Sequence, residues 1–115
     1  GVADTIASKL NHQGVQVLRN EATEIEGLRF IGFDDYWGLN FNPQQAMQHF
    51  DASQANIVLC HNPDVCDEDV WGQYNSWILS GHTHGGQVKP PFLPPLILPV
   101  KNRKYSAGLF SLSND

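Results

Sequence analysis

Between residues 4 and 12, Ile6, Ala7 and Leu10 recur at helical spacing. Residues 11–14, ending in Gly14, supply a stop, so a short helix is predicted. Val15, Val17 and Leu18 lead into Arg19-Asn20, and residues 22–25 alternate apolar with polar up to Glu26-Gly27, which reads as strand, turn, strand. Residues 28–33 form a further strand, and the two-residue connection predicts an antiparallel hairpin ending at Asp34-Asp35. Tyr36-Trp37-Gly38 opens a loop. Asn42-Pro43 has the form of an N-cap followed by proline at the first helical position, and Ala46, Met47 and Phe50 mark one face of a helix ending near Asp51. The period then switches. Residues 56–60 are a short apolar run of the kind found in buried parallel strands, residues 64–71 suit a short helix, and residues 76–80 are a second buried strand. That order predicts a right-handed crossover. Beyond it lie a glycine-rich loop at 81–87, five prolines among apolar residues at 89–100, and a last strand candidate at 105–112. No internal repeat is present.

Composition narrows the class. The 115 residues are 41% hydrophobic and 17% charged, as expected for one ordinary soluble domain rather than two. A net charge of −5 argues against a nucleic-acid partner, since broad phosphate binding draws on clustered Lys and Arg. The one basic cluster, Lys101, Arg103 and Lys104, reads as a solvated face. No run of 18 apolar residues occurs and no secretory leader opens the chain. The first residue is Gly1 and the single Met is Met47, so the natural start is expected upstream or was replaced. Cys60 and Cys66 match neither a secreted disulfide framework nor a C-x-x-C pair, which leaves the compartment undecided.

Candidate chemistry gathers after the two buried strands: His61 follows Cys60, and His82 and His84 follow Ser80. In open α/β sheets, ligands collect outside the carboxyl ends of strands, so the three imidazoles are expected on one edge. Extended residues two apart point the same way at about 6.6 Å. His82 and His84 so placed could each hold one ion of a pair roughly 3.5 to 4 Å apart. Gly81, Gly85 and Gly86 allow positive φ and a close backbone approach to a ligand. Imidazole suits Zn, Mn, Fe, Co or Ni and binds only when neutral, so an ordinary histidine loses competence below a pH near about 6.5. Blander readings stand beside these. His82 and His84 could be polar loop residues, and His61 a hydrogen-bonded strand-end residue. His12 and His49 read as surface positions. Asp34 and Asp35 read as turn-formers, with metal ligation the sharper alternative. Cys60 reads as a small core hydrophobe, against a closed zinc site drawing on Cys60 or Cys66.

Two stretches carry a family resemblance: Val58-Leu59-Cys60-His61-Asn62-Pro63-Asp64, and Leu79-Ser80-Gly81-His82-Thr83-His84-Gly85-Gly86-Gln87-Val88. Together they resemble the calcineurin-like metallophosphoesterases, and within them the branch of bacterial phosphodiesterases that includes YkuE and YaeI. Weaker similarity at residues 17–21, 31–35 and 105–109 extends the match over nearly the whole chain. The resemblance implies an α/β fold, the C-terminal half of a sandwich of two β-sheets flanked by helices. It also implies a dinuclear centre of divalent metal ions (Mn, Fe, Zn, Co or Ni) that hydrolyses phosphomonoesters or phosphodiesters. By resemblance His61 and His82 bind one metal and His84 the other, while Asn62, Gly81, Gly85, Gly86 and Gln87 shape the site.

The family's D-x-H, G-D-x-x-D and G-N-H-D/E motifs, which supply the remaining ligands and the histidine that assists the leaving group, are absent. Residues 1–115 are therefore expected to be a partial domain that alone binds metal weakly and catalyses little. The family's usual final strand is missing as well. Half a sandwich predicts self-association, or a partner in the N-terminal half of the same protein. The expected substrate is a phosphate ester, lipid-linked in some enzymes of this branch. Residues 89–100 could contact acyl chains or a membrane surface, or could pack on their own domain. The alternative function is a non-catalytic binding or interaction module with a structural zinc site.

Overall fold

The computed structural model describes residues 1–81. The predictions for the glycine-rich run beyond Gly81, residues 89–100 and the strand at 105–112 lie outside the described residues, as do His82, His84, Gly85, Gly86 and Gln87.

Helix α1 spans Val2–His12, with Asp4 in its first turn and Lys9 and His12 in its last, the polarity the helix dipole favours. None of its residues is buried. A guanidinium ties it to the body: Arg19 reaches Asp4 at 2.6 Å and Asp34 at 3.0 Å. The strand expected at 15–18 is not formed. Instead Leu18 lies over the sheet face, where a Cβ on Gly32 would overlap Leu18 Cβ, so the segment packs across the strands rather than beside one. Asn20, at φ +56°, then turns the chain into the sheet.

Strands β1 (Glu21–Ile25) and β2 (Leu28–Gly32) form the predicted hairpin, pairing antiparallel with Ile25 opposite Leu28. Glu26 and Gly27 both take positive φ, +52° and +85°, as a two-residue turn matched to strand twist requires. Helix α2 (Pro43–Met47) starts where predicted, with Asn42 Oδ1 accepting the Gln45 amide at 3.0 Å, but it ends early. Its exit tightens into bonds spanning three residues, and Asp51 Oδ1 then accepts both the amide and the hydroxyl of Ser53.

Strand β3 (Ala55–Leu59) pairs parallel to β2, and β4 (Trp77–Leu79) pairs parallel to β3, giving the order β1-β2-β3-β4. The crossover carries a short 3-10 helix, Pro63–Asp67, where a longer helix was expected. Trp71 Nε1 donates to the Cys66 carbonyl at 3.1 Å, and Glu68 is already extended, so the helix stops there.

Register explains the core. Ala22, Ile31, Val58 and Ile78 align across the four strands on one face. Under that face pack Ala46, Met47 and Phe50 and an aromatic group in which Phe33 stacks on Trp71 at 5.8 Å. The opposite face presents Phe30, Ile57 and Trp77 in one row and Leu59 and Leu79 in the next. This corrects the expectation of a second buried strand. β4 is half-solvated, with Trp77 59% and Leu79 51% exposed, because helices cover one face only among the described residues. The α/β class stands as expected, and the single mixed sheet described is compatible with one side of a two-sheet sandwich.

Candidate functional site

Strand pairing runs on past the regular strands and brings their carboxyl ends level. The Phe33 amide donates to the Leu59 carbonyl, the Cys60 amide to the Leu79 carbonyl, and the Gly81 amide to the His61 carbonyl, each at 3.0 Å. His61 and Gly81 are therefore neighbours across β3 and β4. The His61 side chain is exposed, and a Cβ on Gly81 would stand 4.0 Å from its Nδ1. A pocket of about 430 Å³ opens here, with His61, Ser80 and Gly81 supplying polar groups and Leu18, Leu59 and Leu79 apolar ones.

Asn62 reverses the chain directly after His61. It is 3% exposed, its Oδ1 accepts the Asp64 amide at 2.9 Å, and Pro63 begins the 3-10 turn with its φ already fixed. Its Nδ2 is buried without a hydrogen-bond partner. The turn carries the chain inward after His61 and leaves the imidazole at the rim.

Other candidates separate clearly. Both oxygens of Asp34 are engaged, Oδ2 by Arg19 at 3.0 Å and Oδ1 by the Asp35 amide at 2.7 Å. Asp35 Oδ1 accepts the Trp37 amide at 3.2 Å. Both residues therefore build the turn, as the plainer reading expected. Arg19 also holds the exposed Asp4 carboxyl down to about 2, with the Gly1 ammonium assisting. Cys60 is 5% exposed, and burial pushes its thiol up to about 12, a poor prospect for the thiolate a closed zinc site needs. His12 and His49 are exposed, on α1 and just after α2.

The donor chemistry fits a first-row divalent ion only in part. His61 brings one imidazole to the edge, and among the described residues no group of three or more His, Cys, Asp or Glu side chains converges. Further ligands would have to come from outside residues 1–81.

Sequence reasoning missed Asn20. It is 4% exposed, accepts the Asp34 amide at 3.1 Å and the Asn42 amide at 3.4 Å, and donates to the Asn40 carbonyl at 2.7 Å. Those bonds hold both ends of the loop after β2. An asparagine in a turn was the only available signal, and it does not distinguish a solvated turn from a buried clamp. Tyr36 completes the brace by donating to Glu68 at 3.1 Å, and burial raises its phenol.

Comparison with known proteins finds relatives. The chain is 34% identical to phosphodiesterase YaeI of Escherichia coli K12, over 90% of this chain and 38% of that protein. It is 27% identical to UDP-2,3-diacylglucosamine pyrophosphatase LpxG of Chlamydia trachomatis, over 96% of this chain and 35% of that protein. A 55-residue stretch is 40% identical to the metallophosphoesterase YkuE of Bacillus subtilis, covering 48% of this chain and 19% of that protein. The chain thus spans less than two-fifths of the length of these relatives. No family model matches, and no solved structure matches.

Proposed function

Because this chain is a relative of the calcineurin-like metallophosphoesterases, we propose that it supplies the histidine side of a phosphoesterase metal centre, with His61, His82 and His84 as ligands. Asn62, Gly81, Gly85 and Gly86 shape that site. One observation supports the reading above others: the His61 imidazole lies exposed at the carboxyl end of β3, and the Gly81 amide is bonded to its carbonyl at 3.0 Å. His82 is the next residue in the chain.

Each residue has a physical task. Asn62 and Pro63 end β3 sharply, so His61 is held by the sheet rather than by a long mobile segment. Gly81 leaves the space beside the imidazole open, since any side chain there would start about 4.0 Å from Nδ1. Cys60 and Phe33 close the inner side of the edge with apolar surface, which keeps bulk water from the back of the site. Two divalent ions, drawn from Mn, Fe, Zn, Co or Ni, would supply Lewis acidity toward a phosphate ester when bound. Carboxylate ligands would come from the remainder of the protein, whose partner role for this chain is to complete the centre.

The test is hydrolysis of bis-p-nitrophenyl phosphate by the full-length protein with Mn²⁺, beside His84→Ala. The expected loss in the variant is at least about a hundredfold in kcat/KM, more than the ten- to hundredfold of a residue that only supports a ligand. Equal turnover would contradict the assignment.

A further inference from the structure

We propose that Asn62 is a positioning residue for the His61 ligand, its buried Nδ2 donating to an oxygen that the completed metal centre brings from beyond residues 1–81. The proposal rests on the phosphoesterase reading and gives the Asn62 amide a task that capping does not. Its Oδ1 accepts the Asp64 amide at 2.9 Å, which starts the 3-10 turn, and the Asn62 carbonyl accepts the Val65 amide at 3.2 Å. A serine hydroxyl or an aspartate carboxylate caps such a turn about as well, so capping asks nothing of the NH2 group. Asn42 is the ordinary case. Its Oδ1 caps α2 and the residue is exposed, where solvent satisfies the rest of the carboxamide.

Buried asparagines have no such recourse. Among the described residues Asn20, Asn56 and Asn62 are buried. Asn20 Nδ2 donates to the Asn40 carbonyl at 2.7 Å, and Asn56 Nδ2 donates to the Asp51 and Gln54 carbonyls at 2.7 and 2.8 Å. Of the three, Asn62 alone has its Nδ2 buried with no acceptor among the described residues. A buried carboxamide gives up its water and recovers the loss only through a partner, so the unspent donor marks where an acceptor is due. The acceptors such an N–H takes are carbonyl and carboxylate oxygens.

Placement gives the donor its purpose. Asn62, Pro63, Asp64 and Val65 are all buried, whereas the His61 side chain just before them is exposed at the carboxyl end of β3. Pro63 fixes one backbone torsion after Asn62, and the Gly81 amide holds the His61 carbonyl from the neighbouring strand. Little slack is left between Asn62 and the imidazole. A bond at Nδ2 therefore sets where His61 stands relative to the other ligands, and outer groups of this kind count for about ten- to hundredfold in metal affinity.

The experiment is equilibrium dialysis of the full-length protein against Mn²⁺, with urea denaturation of the metal-free protein alongside, for the parent, Asn62→Ser, Asn62→Asp and His61→Ala. Asn62→Ser keeps a capping oxygen and removes the amide, while Asn62→Asp keeps the shape and turns the donor into an acceptor. Asn62→Ser is expected to keep a cooperative urea transition and to bind Mn²⁺ about ten- to hundredfold more weakly, with Asn62→Asp at least as weak. If Asn62→Asp does not fold, Asn62→Ser decides alone. Parental affinity in Asn62→Ser, with metal lost in His61→Ala, would overturn the positioning role and leave the phosphoesterase reading standing. Loss of the urea transition in Asn62→Ser would make the residue structural and overturn the role as well. A parent that binds no Mn²⁺, or His61→Ala binding as the parent does, would overturn the phosphoesterase reading and this proposal with it.

Discussion

At the scale of single residues, Asn20 connects more of the chain than its size suggests. It occupies the left-handed region that most side chains avoid, and three of its polar bonds bind the start and end of the loop after β2. Replacing it removes a donor and an acceptor from a buried place, leaving the Asp34 amide and the Asn40 carbonyl without that partner. Asn20→Ala is therefore expected to lower stability by about 2 to 3 kcal/mol, read by urea denaturation, from lost bonds and the backbone conformation together. A change under about 0.5 kcal/mol would show that the loop is held from elsewhere. His61 and Cys60 illustrate the opposite outcome for adjacent residues. One side chain emerges at the edge, and the other is sealed in the core with its thiol pushed up to about 12.

At the scale of elements, what was legible in the sequence was mostly local. The hairpin was legible because Glu26-Gly27 sits between two alternating runs, and α2 began where Asn42-Pro43 placed it. Those signals act over a few residues. Gly27, at φ +85° with open space around the position, isolates the backbone term: Gly27→Ala is expected to cost about 1 kcal/mol by thermal or chemical denaturation. No loss would mean that the turn relaxes to another type. Elements whose form depends on distant partners were less legible. Residues 15–18 look like a strand by composition, yet Leu18 lies over Gly32 on the sheet face. The crossover helix is short because Trp71 takes the Cys66 carbonyl, and β4 is half-solvated because, among the described residues, helices cover only one face of the sheet. Periodicity records which side chains are apolar and cannot tell whether another layer covers them.

At the scale of the whole molecule, two surfaces differ sharply. Among the described residues, one face of the sheet is closed by α2, the crossover and the aromatic group around Phe33, while the other presents Phe30, Ile57, Leu59, Trp77 and Leu79. An apolar face of that extent fits a fold in which a second layer packs against the first. The chain spans 38% of YaeI and 35% of LpxG. The candidate site is read from a cluster of histidines at strand ends, of which His61 lies among the described residues, beside Gly81. Its completion was not legible, because metal ligands converge through the whole fold rather than through one segment. The most direct test of the account is bound metal per chain in the full-length protein after equilibrium dialysis against Mn²⁺, for the parent, His61→Ala and His12→Ala. The account predicts that metal falls by at least half in His61→Ala and stays at the parent's value in His12→Ala. Equal metal in all three would contradict a centre built on His61.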